Sequence, residues 1–516
     1  MTQVIVIGAG IGGLTAGALL AKRGFDVHVF EQAAVPGGCA STFKRRGFTF
    51  DVGATQVAGL EPGGIHHRIF TELGVELPAA THCDPACAVF LPGETEPIQV
   101  WRDPERWQTE RRRQFPGSDR FWQILQLLFD VSWRFQSRDP VLPPRNVWDL
   151  GQLMQAVRPD TLFTAPFALM TVGDLLNILG LAHDTRLKTF LDLQLKLYSQ
   201  VGADETALLY AATALGVSQA PQGLFHLEGS MQRLSDRLTE ALIQHGGQLH
   251  LRHIVKEIHH AEGQVKSILL YNRRTQEYQT IAADHVVGNI TTHNLVEMLE
   301  PEIATQPAPQ PLLAPASLLN FGQYRQRVEQ IPEPSGAFVV YLGVTQAAIP
   351  EHCPPHLQFL YDPAGPIGEN NSLFVSVSRP GDGRAPEGQA TVIASSFVEP
   401  RSWFGLASAD YQARKQQYME AAIAHLAQYF HLTPDTILHQ EAATPRTFAH
   451  YTDRKYGYVG GVSQRLSTFG PFGFGTRTPL QNFWLVGDST HPGEGTAGVS
   501  YSALMAVRQI EHWERS

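Results

Sequence analysis

Cysteine is scarce: Cys39, Cys83, Cys87 and Cys353 are the only four among 516 residues. That excludes a disulfide-stapled framework and fits a reducing compartment. Cys83 and Cys87 form C-x3-C with no second ligand pair, so no metal site is expected and the two read as isolated loop cysteines. Segments dominated by Lys and Arg are absent, and the formal net charge is −9. A nucleic-acid partner is therefore not expected. The short runs Lys44-Arg45-Arg46 and Arg111-Arg112-Arg113 read as solvated loop charges. Long apolar runs are also scarce. Residues 4–21 carry no charge but hold five glycines, Gly8, Gly10, Gly12, Gly13 and Gly17, which argues against a membrane span. The leader Met1-Thr2-Gln3 lacks the cation of a signal peptide. No Ser/His/Asp array and no solenoid-length repeat is evident. What is present, 43% hydrophobic and 17% charged residues, is globular composition with chain enough for two or three domains.

The charge-free start reads as strand, turn and helix. Val4-Ile5-Val6-Ile7 is a β-branched run suited to a parallel strand buried on both faces. It runs into Gly8-Ala9-Gly10-Ile11-Gly12-Gly13, a G-x-G-x-x-G with Gly8, Gly10 and Gly13 in the three glycine places. The first permits the tight turn, the second lets backbone approach a pyrophosphate, and the third lets helix pack on strand. Residues 14–22 read as the helix whose leading N–H groups face the phosphates, and Gly24 closes it. Val27-His28-Val29-Phe30-Glu31 is the second strand. Glu31 stands about 20 residues beyond the glycines, where a carboxylate accepts both ribose hydroxyls and repels a 2′-phosphate.

Further residues carry a family resemblance. Pro36-Gly37-Gly38 and Gly47-Phe48-Thr49-Phe50-Asp51-Val52-Gly53 follow the acid. Near the far end stand Phe483-Trp484-Leu485-Val486-Gly487-Asp488 and Ser489-Thr490-His491-Pro492-Gly493-Glu494-Gly495-Thr496-Ala497-Gly498. The chain resembles the flavin amine oxidase and phytoene desaturase superfamily, and within it the carotenoid desaturases and carotenoid cis–trans isomerases. The resemblance runs end to end, densest over residues 4–60 and 445–510. It implies FAD as cofactor and a Rossmann-type α/β domain of the glutathione reductase and amine oxidase kind, built from discontinuous segments. The implied cofactor contacts are Gly8, Gly10, Gly12, Gly13, Glu31, Gly37, Gly38, the backbone of Val255, Gly487, Asp488, Thr496, Ala497, Gly498 and Val499. Asp488 would take the ribityl or phosphate region, and a helix beginning near Ala497 would aim N–H groups at the flavin N1/O2 edge. One departure stands out. Many relatives have Arg or Lys directly after the GG pair, whereas this chain has Cys39. The pyrophosphate charge is then left to backbone amides or to Lys44, Arg45 or Arg46. No cysteine stands near the C-terminal motif, which argues against a cysteinyl flavin.

The expected FAD domain comprises roughly residues 1–80, 225–300 and 445–516, the middle piece with a helix opening at 229–234 and strands over 249–258 and 265–271. Residues 105–222 form a helical cap, with helical pattern over 121–135, 161–181 and 185–198. Residues 305–440 form a mixed-sheet substrate domain, with strands at 337–344, 372–377 and 391–397, a helix at 411–429, and a boundary at Pro307, Pro309, Pro311 and Pro315. The stretch 161–181 contains the single charge Asp174 and reads either as a core helix pair or as a surface dipping into lipid.

The resemblance implies a carotenoid substrate, a peripheral attachment to the cytoplasmic side of a thylakoid or plasma membrane, and a quinone or oxygen as electron acceptor. Residues 493–504 most resemble the cyanobacterial-type C-3′,4′ carotenoid desaturases of myxoxanthophyll biosynthesis; a cis–trans isomerase using reduced FAD is the alternative. An amine oxidase, or a flavin-free lipid carrier similar to GDP-dissociation inhibitors, would share the fold. A hydrocarbon polyene has no charged handle, so few acid–base residues are expected. His491 and Glu494 are the candidate proton relay and Tyr501 a third candidate, each also readable as a turn- or core-stabilising group.

Overall fold

The computed structural model describes residues 1–303 and 321–516; the proline-marked boundary at Pro307, Pro309, Pro311 and Pro315 lies outside the described residues. The strand β1 (Gln3–Ile7) has both faces covered, as its unbroken run of β-branched residues requires. It feeds α1 (Ile11–Lys22), whose residues from Ile11 to Ala21 are all buried. A helix apolar all round must be enclosed on every side, and here α1 lies between the helices Gln232–Gln244 and Thr496–Arg515. β2 (Asp26–Glu31) then pairs parallel with β1. Among the described residues the sheet has five parallel strands in the order Phe483–Leu485, His285–Gly288, β1, β2, Gln248–Leu251. It draws strands from each of the three chain segments named above.

The expected strand over 249–258 is in fact two strands. Arg252, with φ of 62°, turns the chain out of the parallel sheet, and His253–Ala261 continues into a separate antiparallel sheet with Gln264–Asn272 and Glu277–Ala282. A run of apolar β-formers shows strand character but not where a left-handed residue breaks it.

Among the described residues a seven-stranded mixed sheet follows the order Ile437–Ala443, Gly336–Thr345, Gln389–Val398, Ser372–Val377, His356–Leu360, Cys87–Phe90, Ile98–Val100. Among the described residues its one parallel pairing joins His356–Leu360 to Cys87–Phe90. Two of its strands therefore come from residues before the expected cap; Cys87 opens one of them as a core residue, whereas Cys83 is a loop cysteine, though a buried one. The helix Ser408–Leu426 covers one face through Met419, Ala422 and Leu426. A buried ion network fastens this sheet to the nucleotide end: Arg384 pairs with Asp51 and with Asp382, both at 3.1 Å.

In the cap, the helix Asp119–Gln136 buries Phe121, Trp122, Leu125, Leu128 and Phe129, an i, i+1, i+4, i+7, i+8 stripe. The stretch 161–181 is three short pieces, Pro159–Thr164, Ala165–Leu169 and Val172–Ile178, because prolines and polar caps interrupt it. Arg111, Arg112 and Arg113 are not loop charges. They form the last turn of the helix Pro104–Gln114, and Arg111 packs over the rings of Trp107 and Trp122. Among the described residues no helix is long and apolar enough to cross a membrane.

Candidate functional site

The glycine turn is dictated by backbone crowding. Gly8 has φ of 90° and donates its N–H to the Phe30 carbonyl at 2.8 Å. A Cβ on Gly13 would sit 2.0 Å from the Gly8 carbonyl oxygen, so only glycine lets the first turn of α1 close on β1. At Gly10 and Gly12 the crowding comes from one side chain. Their Cβ positions would lie 2.4 Å and 2.9 Å from the amide of Asn289. Asn289 follows the strand His285–Gly288, and its own N–H donates to the Ile7 carbonyl.

The GG pair is laid directly on this turn. Gly37 donates its N–H to Ala9 O at 2.8 Å, and both Gly37 and Gly38 have positive φ. Glu31 closes the far side: its two carboxylate oxygens accept the Ala9 and Ala33 N–H groups at 2.7 and 2.8 Å. Burial nevertheless raises its carboxyl above the usual range.

The C-terminal segment meets the same turn. Gly487 donates its N–H to Ser502 Oγ at 3.0 Å. The last helix begins at Thr496 behind Gly495, which has φ of 90°. Ser500 on that helix lies 3.3 Å from Thr15 of α1 and 3.1 Å from His66, which locks the two helix starts together. A cavity of about 1140 Å³ connects these pieces. It exceeds the roughly 300–1,000 Å³ of a drug-sized ligand site. Gly8, Gly10, Gly12, Glu31, Gly37, Gly38, Val255, Gly487, Asp488, Thr496, Ala497, Gly498 and Val499 all line it; Gly13 lies behind the turn. Residues nearly five hundred positions apart thus share one chamber.

Three residues were not singled out from sequence. Asn289 has been described. Arg454 lines the cavity and donates from Nη1 to Asp488 Oδ2 at 2.7 Å. Lys196, from the cap helix Thr185–Ser199, also faces the cavity, donates to the Gln200 carbonyl at 2.8 Å and lies over the Phe397 ring. No spacing rule points to any of them. Asn289 alone carried a signal, standing at the end of a parallel strand where ligands bind in such folds.

The proton-relay candidates separate. Glu494 lines the cavity; burial, then the nearby Asp488 charge, pushes its carboxyl well above the usual range, against the pull of Lys196. Its Oε1 is buried without a hydrogen-bond partner. His491 does not line the cavity. Both its ring nitrogens are buried without partners, and burial pushes its pKa down to about 4. A direct His491–Glu494 hydrogen bond is therefore not formed, and of the two only Glu494 borders the cavity. Tyr501 lines the cavity, but its hydroxyl is already spent on the Pro140 carbonyl at 2.8 Å.

Away from the glycines the wall is apolar and aromatic, formed by Trp133, Leu197, Val217, Leu224, Phe374 and Phe397 among others. Among the described residues no group of His, Cys, Asp and Glu could hold a metal ion. The nucleotide end fits FAD on the structure's own terms. Side-chain-free backbone at Gly10, Gly37 and Gly38, two helix starts, the Glu31 carboxyl and the Asp488–Arg454 pair all border the cavity.

Comparison with known proteins agrees. The family profile "Flavin containing amine oxidoreductase" matches residues 11–511. Prolycopene isomerase 2, chloroplastic, of an Oncidium hybrid cultivar is 26% identical over 98% of this chain and 83% of its own length. The 4,4′-diapophytoene desaturase (4,4′-diapolycopene-forming) of Methylomonas sp is 23% identical over 99% and 96%. Among solved structures, a putrescine oxidase variant superposes with a TM-score of 0.62 at 15% identity, covering 100% of each chain. An oxidoreductase from Methanosarcina mazei gives 0.61 at 16% identity, covering 99% of this chain and 100% of its own.

Proposed function

The chain belongs to the flavin containing amine oxidoreductase family, an FAD-dependent oxidoreductase, and we propose that it acts on a carotenoid. The reading preferred here is desaturation, at the C-3′,4′ bond of a carotenoid end. The observation that carries it is the continuity of one cavity. It runs from the nucleotide glycines past apolar and aromatic side chains such as Trp133, Leu197, Phe374 and Phe397, with charged groups including Lys196 and Glu494 also on its wall. Bound FAD supplies a hydride acceptor at N5, with a quinone or oxygen as final acceptor. The chain supplies alignment: the aromatic wall fixes the polyene and excludes water, which makes proximity the main contribution. Glu494, whose carboxyl burial pushes well above the usual range, is the relay candidate that borders the cavity with an unpartnered oxygen, Oε1.

Cis–trans isomerisation is the second reading, favoured by the similarity to prolycopene isomerases over 98% of the chain. The deciding experiment is expression in carotenoid-producing bacteria with pigment chromatography and mass measurement. Desaturation lowers the mass by two hydrogens and lengthens the chromophore. Unchanged mass with altered cis bands selects isomerisation, and peroxide from an amine panel would refute both. We also propose peripheral lipid contact through the broken apolar segment of the cap. There Leu162, Phe163, Leu169 and Ile178 are each more than 60% exposed. The helices Asp119–Gln136 and Leu208–Gly216, against which this segment packs, contribute Trp133, Tyr210 and Ala214 beside the cavity, which gives an apolar substrate a short route from lipid.

A further inference from the structure

We infer that Arg454 supplies, from a distant part of the chain, the positive charge for the FAD pyrophosphate that position 39 lacks. The need is set by the sequence: Cys39 follows the GG pair, and a neutral thiol there leaves two phosphate charges facing the glycine turn. The three nearby cations do not fill the gap. Lys44 and Arg46 do not line the cavity; Arg45 reaches its edge, but is exposed and turned to Glu441 at 3.4 Å. Arg454 is placed differently. It borders the cavity within electrostatic reach of both Cys39 and Asp488. Its Nη1 is held by Asp488 at 2.7 Å and turned toward the Tyr458 carbonyl at 3.4 Å. No hydrogen bond from its Nε or Nη2 to the described residues forms, so those donors remain for a ligand. A guanidinium fixed at one end and open at the other is the geometry that recognises phosphate oxygens. Asp488 orients it and balances its charge, so what it offers a phosphate is the open N–H edge of a fixed guanidinium.

The test titrates apoprotein, prepared from the holoprotein, with FAD and with riboflavin, which lacks phosphate, following flavin fluorescence. Arg454→Gln is expected to raise the Kd for FAD at least tenfold and that for riboflavin less than twofold. The apoprotein melting temperature checks that the variant folds. Restoring a cation at the other position, Cys39→Arg or Cys39→Lys in the Arg454→Gln background, is expected to recover at least fivefold of the FAD affinity. Equal weakening of FAD and riboflavin would show that Arg454 merely steadies Asp488 and would overturn the inference. So would unchanged FAD affinity, or a failure of both position-39 variants to recover any.

Discussion

Substituting the first-turn glycines of α1 by alanine separates two kinds of crowding that the G-x-G-x-x-G pattern merges. In Gly13→Ala the new methyl meets the Gly8 carbonyl oxygen at 2.0 Å, where an ordinary C···O approach is about 3.3 Å or more. Both atoms belong to backbone fixed by the β1–α1 turn, so more than 1 Å must be found by moving the helix. Overpacking costs about 1–3 kcal/mol and occasionally more, and this site belongs at the top of that range. In Gly10→Ala the nearest atom, at 2.4 Å, is the Asn289 amide nitrogen. That amide can swing away at a cost of about 1 kcal/mol, the price of one off-rotamer side chain. Removing the amide should erase that cost: Gly10→Ala with Asn289→Ala is expected to melt close to Asn289→Ala alone. Gly13→Ala should gain little from the same second substitution, because its obstruction is backbone. The assay is holoprotein thermal melting plus flavin content from the visible absorbance ratio. If Gly13→Ala melted no lower than Gly10→Ala, or if Asn289→Ala left the Gly10→Ala deficit intact, the steric account of the turn would be wrong. Recovery of melting temperature without recovery of flavin content would show that the cofactor also needs the bare Gly10 surface.

The remaining expectations concern titration and lipid. Glu494 has a folded pKa raised above its unfolded value, so its contribution to stability is present below about pH 4.5 and lost as pH climbs toward the folded pKa; Glu494→Gln, which cannot ionise, should melt above wild type at pH 8, with the gap closing near pH 4–5 in thermal-shift scans, and a constant gap would refute the burial argument. His66 is the opposite case, its pKa lowered to about 4 by burial while its ring lies 2.8 Å from the Ala58 carbonyl and 3.1 Å from Ser500. Its contribution is present above about pH 6.5 and lost as pH falls toward 4, by about 3 kcal/mol at pH 4, so His66→Gln should flatten the acid limb of the melting-temperature curve while lowering its plateau. Replacing Leu162, Phe163 and Leu169 together by Ser should abolish flotation with anionic vesicles while leaving melting temperature and flavin content within error; unchanged flotation removes the lipid-contact proposal.

The sequence made legible whatever is local and set by backbone geometry. Residues 4–31 could be read closely, apart from a helix that begins at Ile11 and not at residue 14, because a β-branched run, a crowded turn and a terminal acid are demands that one short segment makes of itself. The same holds for the strand Ser372–Val377 and the helix starting at Thr496. The breaks at Arg252 and within 161–181 were less legible. The first depends on a single left-handed residue in a permissive composition, and the second on short caps inside an apolar stretch. The separate placement of His491 and Glu494 was illegible for a related reason. His491 and Glu494 are three positions apart, but the chain between them is not regular helix, so spacing carried no information about which side chains share a face.

Charge supply is the least local property of the site. An Arg directly after the GG pair would have been a motif; an Arg hundreds of positions later is an ordinary loop residue until the fold brings it to Asp488. The same backbone needs glycine at Gly13 wherever the pyrophosphate cation comes from, because the Gly8 carbonyl is part of the turn itself. A phosphate oxygen, by contrast, is indifferent to the sequence position of the guanidinium that meets it, since Coulomb attraction depends on distance and dielectric alone. The steric half of a nucleotide site is therefore bound to be written in one segment, while the electrostatic half is free to move between segments. That asymmetry explains why the glycine turn could be read from sequence and Arg454 could not.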